Sequence, residues 1–375
     1  VTLSDIPLLP RSAALRWLLV VAVVSVGLRV AVPPHMIETL YSRGLFVGIR
    51  TVVDAALGWI PVPLFFLFWA GILYLLVRQV VRFVRSTRSK HRSRKNIVRQ
   101  TARLTLTVVL TMVTAFLWLW GFNYGRLPVE EQLQFATYQP DLDELRDRVH
   151  ATAATLAIYR RQITGDTTAL TAQDLPYDLE NSVRPLLAAA LVRHGYPAAG
   201  RPRAWELLPR GILLRFGTAG VYWPWVAEGN VDAGLHPLQK PAVLAHELAH
   251  AYGFGDEGTC SFWAQLSARE TTDHRLRYAI ELSYWRQIAG MLRYADPENY
   301  LIWRAEQLDP GIRNDLQAIY DNGDLYQDIA PVLRDATYTA YLKAQGIHDG
   351  LLNYGRVVQL VEGYRRARVG QPERK

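Results

Sequence analysis

The chain has 375 residues, half of them hydrophobic, and 42 Lys+Arg against 34 Asp+Glu give a net charge of +8. A mean hydropathy of +0.01 excludes a disordered chain and is high for a water-soluble enzyme, so apolar residues must be concentrated somewhere. The single cysteine excludes an intrachain disulfide framework, cysteine-rich zinc modules and iron–sulfur ligation, which leaves a bound metal to His, Asp and Glu.

Three apolar stretches open the chain. Leu15 to Val32 carries only Arg16 and Arg29 as charges and is long enough to span a bilayer. A second run, Leu57 to Val77, has Pro61 and Pro63 near its start and continues LFFLFWAGILYLLV without a charge. The third, Leu104 to Phe122, is uncharged and leads into WLWGFNY, an aromatic cluster of the kind found at membrane interfaces. One such stretch also suits a buried core helix, but three within about 120 residues read as membrane spans. The first lacks a small-x-small cleavage site before Pro33 and Pro34, so it reads as a retained anchor and not a cleaved signal peptide.

Between the second and third runs, Arg78 to Arg103 holds ten Lys/Arg and no acid. Short basic loops stay in the cytoplasm. This orientation also puts the N-terminus, with Arg11 and Arg16, inside, Pro33 to Trp59 outside, and everything after Asn123 outside the cytoplasmic membrane. Without those ten residues, 32 basic groups face 34 acidic ones, so the positive balance is a topology signal. The segment lacks interleaved aromatics and any nucleic-acid motif; its expected partner is anionic lipid of the bilayer, not nucleic acid. The domain reading is a transmembrane region over residues 1–128, with spans at about 15–32, 57–77 and 104–122 and a basic loop at 78–103, then an extracytoplasmic domain over 129–375.

The second region reads as mainly α. Apolar positions at Leu142, Leu145, Val149, Ala153, Leu156 and Ala157 follow a helical period over Asp141 to Gln162, and Asp178 to His194 repeats it before Gly195. From Ile212 to Val226, branched and aromatic residues with Gly and Pro punctuation predict a short strand or hairpin. Helical signals return at about Leu238 and run to about Arg368, broken near Asp296 to Glu298 and Asp321 to Asp324.

The segment KPAVLAHELAHAYGFGDEGTCSFWAQL, Lys240 to Leu266, carries the chemistry. His246 and His250 are four residues apart, so both rings project from one helix face and can share a metal ion. Glu247 sits one position round, where it can serve as general base toward a water activated by zinc. Val243, Leu244, Leu248 and Ala249 give the helix an apolar side, and Gly253 is placed to end it. Two His leave the protein one ligand short. Asp256 and Glu257 both qualify; Glu257 is preferred because Phe262, Trp263 and Leu266 make a second packed helix plausible there, with Ser261 four residues further on the same face. Either acid also suits a cap at that helix start, and Cys260 reads as a small buried thiol. Glu228 and Asn230 are candidates for the substrate cleft or for simple turn positions. His236 and His274 read as a surface and a helix-face histidine. Tyr338, Tyr341, His348 and Tyr354 are candidate oxyanion or substrate groups.

Several blocks carry a resemblance. GFNYGRLPVEEQL after the third run, GTAGVYWPWVAEGNVD, HELAHAYGFGDEG and YTAYLKAQGIHDGLLNYGRVVQLV together resemble a bacterial family of membrane proteins of unknown function. That family has three N-terminal transmembrane helices followed by a zincin-like HExxH domain, and the likeness runs from about Leu104 to the C-terminus. It implies a membrane-bound, metallopeptidase-like protein and a mainly α, zincin-like C-terminal domain with a strand or hairpin before the HExxH helix. The family often continues its site as Glu-x-Glu-Ala-Asn-Phe. Here the first acid is Glu257, which favours it as a ligand, while Gly258, Thr259, Cys260 and Ser261 depart from the second acid and the Asn. The terminal block implies that Tyr341, Lys343, Gly350 and Tyr354 lie near the cleft or in the core.

The sequence therefore leads to a multi-pass membrane zinc hydrolase, a metallopeptidase acting on an envelope protein or peptide. One Zn2+ per chain would be held by His246, His250 and Glu257, with Glu247 as base. Its rivals are a non-catalytic membrane scaffold with a structural or vestigial metal site, and a metal-dependent hydrolase of lipid or cell-wall amides.

Overall fold

The computed structural model describes residues 13–88, 94–347, 353 and 355–368. Helix makes up 72% of it and strand 4%, so the expected mainly α class holds. The chain opens with α1 (Ala13–Ala31), α2 (Phe46–Leu57), α3 (Leu64–Arg88) and α4 (Arg94–Leu119). Ala13–Ala31, Leu64–Arg85 and Val98–Leu119 are long and apolar enough to cross a membrane. Their outer faces, with Val23, Val30, Leu73 and Leu76, stand exposed, which suits lipid and not water. Trp118 Nε1 donates to Ser25 Oγ at 2.8 Å and ties α4 to α1.

Two boundaries differ from the sequence reading. The second apolar helix starts at Leu64 and not Leu57, because Pro61 and Pro63 disfavour helix at and before them and confine it to the residues after them. The basic segment is mostly not a loop either. Its described residues extend α3 to Arg88 and begin α4 at Arg94, consistent with the good helix propensity of Arg and Lys, while 89–93 lie outside the described residues.

The stretch after α1 folds back as a π-helical turn, Ile37–Leu45, which runs into α2. Ile37, Tyr41 and Phe46 form one apolar cluster with Phe116, Trp120, Phe122, Tyr222 and Ala251. Buried Glu38 receives Arg126 Nε at 2.8 Å and Arg43 Nε at 2.7 Å. Tyr222 and Ala251 of the apolar cluster lie beyond residue 128, so the end of this first region packs directly on a later strand and helix.

In the C-terminal region α5 (Leu142–Ile163) starts with a capping box at Asp141, and α6 (Leu179–Arg193) ends before Gly195, whose φ is +76°. The sheet consists of β1 (Arg203–Leu207), β2 (Gly220–Trp223) and β3 (Glu228–Asp232), in the order β1-β3-β2. β1 runs parallel and β2 antiparallel to β3. The expected strand over Ile212–Val226 is β2, and its hairpin partner β3 lies just beyond that stretch. β1 and the polar β3 carry no strand-like apolar pattern; the buried Asp232 is satisfied by Gly211 N and Leu213 N, each at 2.7 Å.

Then follow α7 (Lys240–Ala251), α8 (Glu257–Ser267), α9 (His274–Ala295), α10 (Pro297–Glu306), α11 (Pro310–Asp324), α12 (Pro331–Ala344) and α13 (Arg356–Arg368). Phe262, Trp263, Tyr278 and Trp285 are fully buried between them and anchor one continuous core.

Candidate metal centre

α7 ends as its sequence predicts. Gly253, at φ +91°, donates to the His250 carbonyl at 2.9 Å, and Phe254 N reaches the Ala249 carbonyl at 3.2 Å, a Schellman arrangement that reverses the chain. The reversal also fixes a side chain. Phe254 presents its carbonyl 2.7 Å from His250 Nδ1, which must therefore carry the proton, so the lone pair of the neutral ring is on Nε2. Three residues later α8 begins, and its first residue is Glu257.

The two helices bring three donor atoms together. His246 Nε2 lies 3.1 Å from His250 Nε2 and 3.0 Å from Glu257 Oε2, and His250 Nε2 lies 3.3 Å from the same oxygen. Ligands about 2.05 Å from a tetrahedral zinc are separated by about 3.3 Å, so the triangle has the size of one face of such a site. Three lone pairs this close repel unless a cation or proton sits among them. The donor set therefore fits a zinc ion, and each ligand's other atom is engaged: His246 Nδ1 meets Ser261 Oγ at 3.1 Å, and Tyr338 Oη donates to Glu257 Oε1 at 2.9 Å.

The electrostatics agree. Burial acts to raise the Glu257 carboxyl, but His250 and then His246 outweigh it and hold it well below the usual carboxylate range. Burial opposes a charge on His250, whereas its contacts with Cys260 and Glu257 raise it well above the usual imidazole range. Burial pushes the Cys260 thiol up to about 12, so at neutral pH it is uncharged and the Glu257 carboxylate is the charge His250 feels. Cys260 Sγ lies 3.3 Å from Nδ1 of His250, on the edge of the ring away from the triangle; a set of His246, His250 and Cys260 also clusters, but that thiol is not aimed at the shared point. A cation at the triangle would displace the proton held between His250 and Glu257.

Glu247 is buried beside the triangle, and its Oε2 has no hydrogen-bond partner among the described residues. Burial pushes its carboxyl up to about 8, with His250 opposing and Glu257 adding to the shift. Two glycines make room for it. A Cβ at Gly220 would stand 2.5 Å from Glu247 Oε1, and one at Gly229 would stand 3.0 Å from Glu247 Cβ. Glu247 lines two cavities, one of about 190 Å³ and a larger one of about 1070 Å³, which also reaches His250, Glu257, Tyr338 and Tyr341.

The other candidates separate. Asp256 is the cap of α8: it accepts from Thr259 N at 2.7 Å and from Arg356 at 2.8 Å, and so faces away from the His pair. Glu228 is not in the cleft. It is buried, accepts the Leu64 N–H at 2.7 Å and pairs with Arg203, which locks the start of α3 to β3. Asn230 is buried in the same strand. His236 is buried, not on the surface, because its Nδ1 accepts from Leu238 N and caps a short turn; His274 stacks on Tyr159. Tyr341 Oη lies 3.1 Å from Tyr124 Oη at the cavity wall. His348, Gly350 and Tyr354 lie outside the described residues. Two residues the site needs were not singled out from the sequence: Gly220, although it lies inside a quoted block, and Trp120, whose Nε1 donates to the His250 carbonyl at 2.7 Å.

Fold and site thus define a mostly helical chain with three apolar helices and a buried His–His–Glu cluster. Residues 41–361 match a family described as a protein of unknown function, DUF3810, and with most of its length matched the chain belongs to that family. No curated protein and no solved structure matches it.

Proposed function

We propose that the chain is a membrane-anchored zinc-dependent hydrolase, most simply a metallopeptidase, with zinc held by His246, His250 and Glu257. The observation that carries this reading is the triangle of donor atoms 3.0–3.3 Å apart, with an unpartnered buried carboxyl, Glu247, next to it. A bound zinc ion would supply a Lewis acid that acidifies water and polarises a carbonyl. The chain's own groups do the rest. Glu247 is held against Gly220 with a free oxygen, and a positive ion nearby would lower its raised pKa and ready it to accept a proton. Phe254, Ser261 and Tyr338 orient the ligands, and Tyr341 stands at the cavity wall where it can donate to an oxyanion. β2 is an edge strand that lines both cavities, which suits an extended polypeptide lying beside it.

The same reading keeps the N-terminus and the basic ends of α3 and α4 in the cytoplasm, against anionic lipid, and residues 129–375 outside it. Purified protein is expected to hold about one zinc per chain. Glu247→Gln is expected to keep the metal and lose hydrolysis, and His246→Ala to lose the metal. Zinc-free protein with all three ligands intact would end this reading. A reporter fused after Lys375 that is active in the cytoplasm would end the assigned orientation.

A further inference from the structure

The larger cavity does not stay within the C-terminal region. From the donor triangle it passes Tyr222 of β2 and reaches the final turns of α1 and α4, where Val26, Val30 and Val113 form its wall. These side chains belong to helices long and apolar enough to cross a membrane, and Val30 is 80% exposed. In a bilayer, that wall is continuous with the hydrocarbon. A soluble peptide buries nothing there, whereas a substrate with an apolar segment beside the bond to be cut buries it on entry.

We infer that the substrate is a polypeptide anchored in the same membrane and cut within the few residues that leave its own apolar segment. This rests on the hydrolase reading above and names its substrate class. Two observations favour a polypeptide over a lipid. Among the described residues no strand pairs with β2 on its outer side, and the register with β3 turns the N–H and C=O of Tyr222 toward that edge, inside the cavity, where they can pair with an extended main chain. At the membrane end, Arg29 Nη2 donates to the Gln345 carbonyl, at 3.1 Å. Among the described residues its Nε has no partner and no carboxylate pairs with it. That guanidinium suits an acidic side chain at the point where a substrate chain emerges from its span.

The test uses full-length, zinc-loaded protein in lipid nanodiscs and equilibrium binding of three probes. These are a soluble tetrapeptide hydroxamate, the same hydroxamate preceded by an Asp and a leucine-rich span of about 20 residues, and hexadecanoyl hydroxamate. Val30→Trp and Val113→Trp fill the cavity wall far from the donor triangle, and the exposure of Val30 makes the first tolerant of a larger side chain. Each variant is expected to weaken the anchored peptide by about tenfold while zinc content and the soluble probe's Kd stay unchanged. Partition into the bilayer alone would leave the anchored probe's affinity equal in wild type and both variants, and that result overturns the inference. Hexadecanoyl hydroxamate that binds as tightly as the anchored peptide, and is weakened by the same variants, overturns it in favour of a lipid. Absence of zinc, or zinc with no affinity for the soluble hydroxamate, is instead the failure of the hydrolase reading, and removes the ground of both.

Discussion

The junction of α5 with α11 and the cleft beside α7 each bury a carboxylate, and they treat it in opposite ways. Asp315 is 0% exposed and receives Arg160 Nε at 2.8 Å, Leu170 N at 2.7 Å and Tyr278 Oη at 2.5 Å. Glu247 is 5% exposed, and one of its oxygens receives nothing from the described residues. A fold that needs a buried charge only for structure surrounds it with donors, as at Asp315. A carboxylate that must exchange a proton is better left with an oxygen open to a cavity, at a cost to stability. The comparison breaks most forcefully at Arg160. Arg160→Met strands the Asp315 charge and is expected to cost about 3–5 kcal/mol in chemical denaturation. A loss below about 1 kcal/mol would mean that the two carboxylates do not differ as described.

At Glu247 the expected stability effect is smaller and depends on pH. Its folded-state pKa, about 8, is raised above the unfolded value, so the folded protein binds more protons than the unfolded one between those values. Stability from this group is fully present below the unfolded pKa and is lost as pH rises through about 8. Metal-free wild type is therefore expected to lose stability from about pH 5 to pH 9 by on the order of 3 kcal/mol more than metal-free Glu247→Gln. Parallel pH profiles for the two would show that the carboxyl is not desolvated. Gly220→Ala probes the same space from the strand side. Its Cβ would press on Glu247 Oε1 and, at 2.9 Å, on the rigid carbonyl of Asn230, so the carboxylate has to move. Zinc content should hold while hydrolysis falls by about 100-fold, because a misplacement of about 1 Å is enough for that.

What could be read from the sequence follows from how local the determining forces are. The three apolar helices and the His246–His250 face depend on run length and on i, i+4 spacing, both written in consecutive residues. Glu257 is within reach because Phe262, Trp263 and Leu266 mark the packed helix that it heads. Asp256 stays open as the alternative in the sequence, because Arg356, the partner that marks it as a cap, is a hundred positions away. The role of Glu228 is hidden from the sequence for the same reason: the Leu64 N–H that it holds lies 164 residues earlier. β1 and β3 were missed because RAWEL and EGNVD owe their strand form to pairing and burial and not to an apolar alternation. Gly220 could have been found. A glycine in a predicted strand signals a close approach, and here the approaching group is the carboxylate of Glu247.

The finest separation lies between two tyrosines on one helix. Tyr338 and Tyr341 stack on each other on α12 and both line the large cavity, yet only Tyr338 touches a proposed ligand. Its hydroxyl holds Oε1 of Glu257 at 2.9 Å and so keeps Oε2 turned toward the two imidazoles, whereas the Tyr341 hydroxyl lies 3.1 Å from Tyr124 Oη, from which it accepts, and keeps its own proton to donate into the cavity. Groups that orient a metal ligand typically contribute 10–100-fold to affinity, so Tyr338→Phe is expected to weaken zinc binding by about tenfold in a chelator competition. Tyr341→Phe should leave zinc affinity unchanged and lower turnover instead, since its place at the cavity wall lets it act only on what enters there. Equal zinc affinities for both variants would show that Glu257 is oriented by the imidazoles alone, and the carboxylate contrast would then reduce to Glu247 and its glycine.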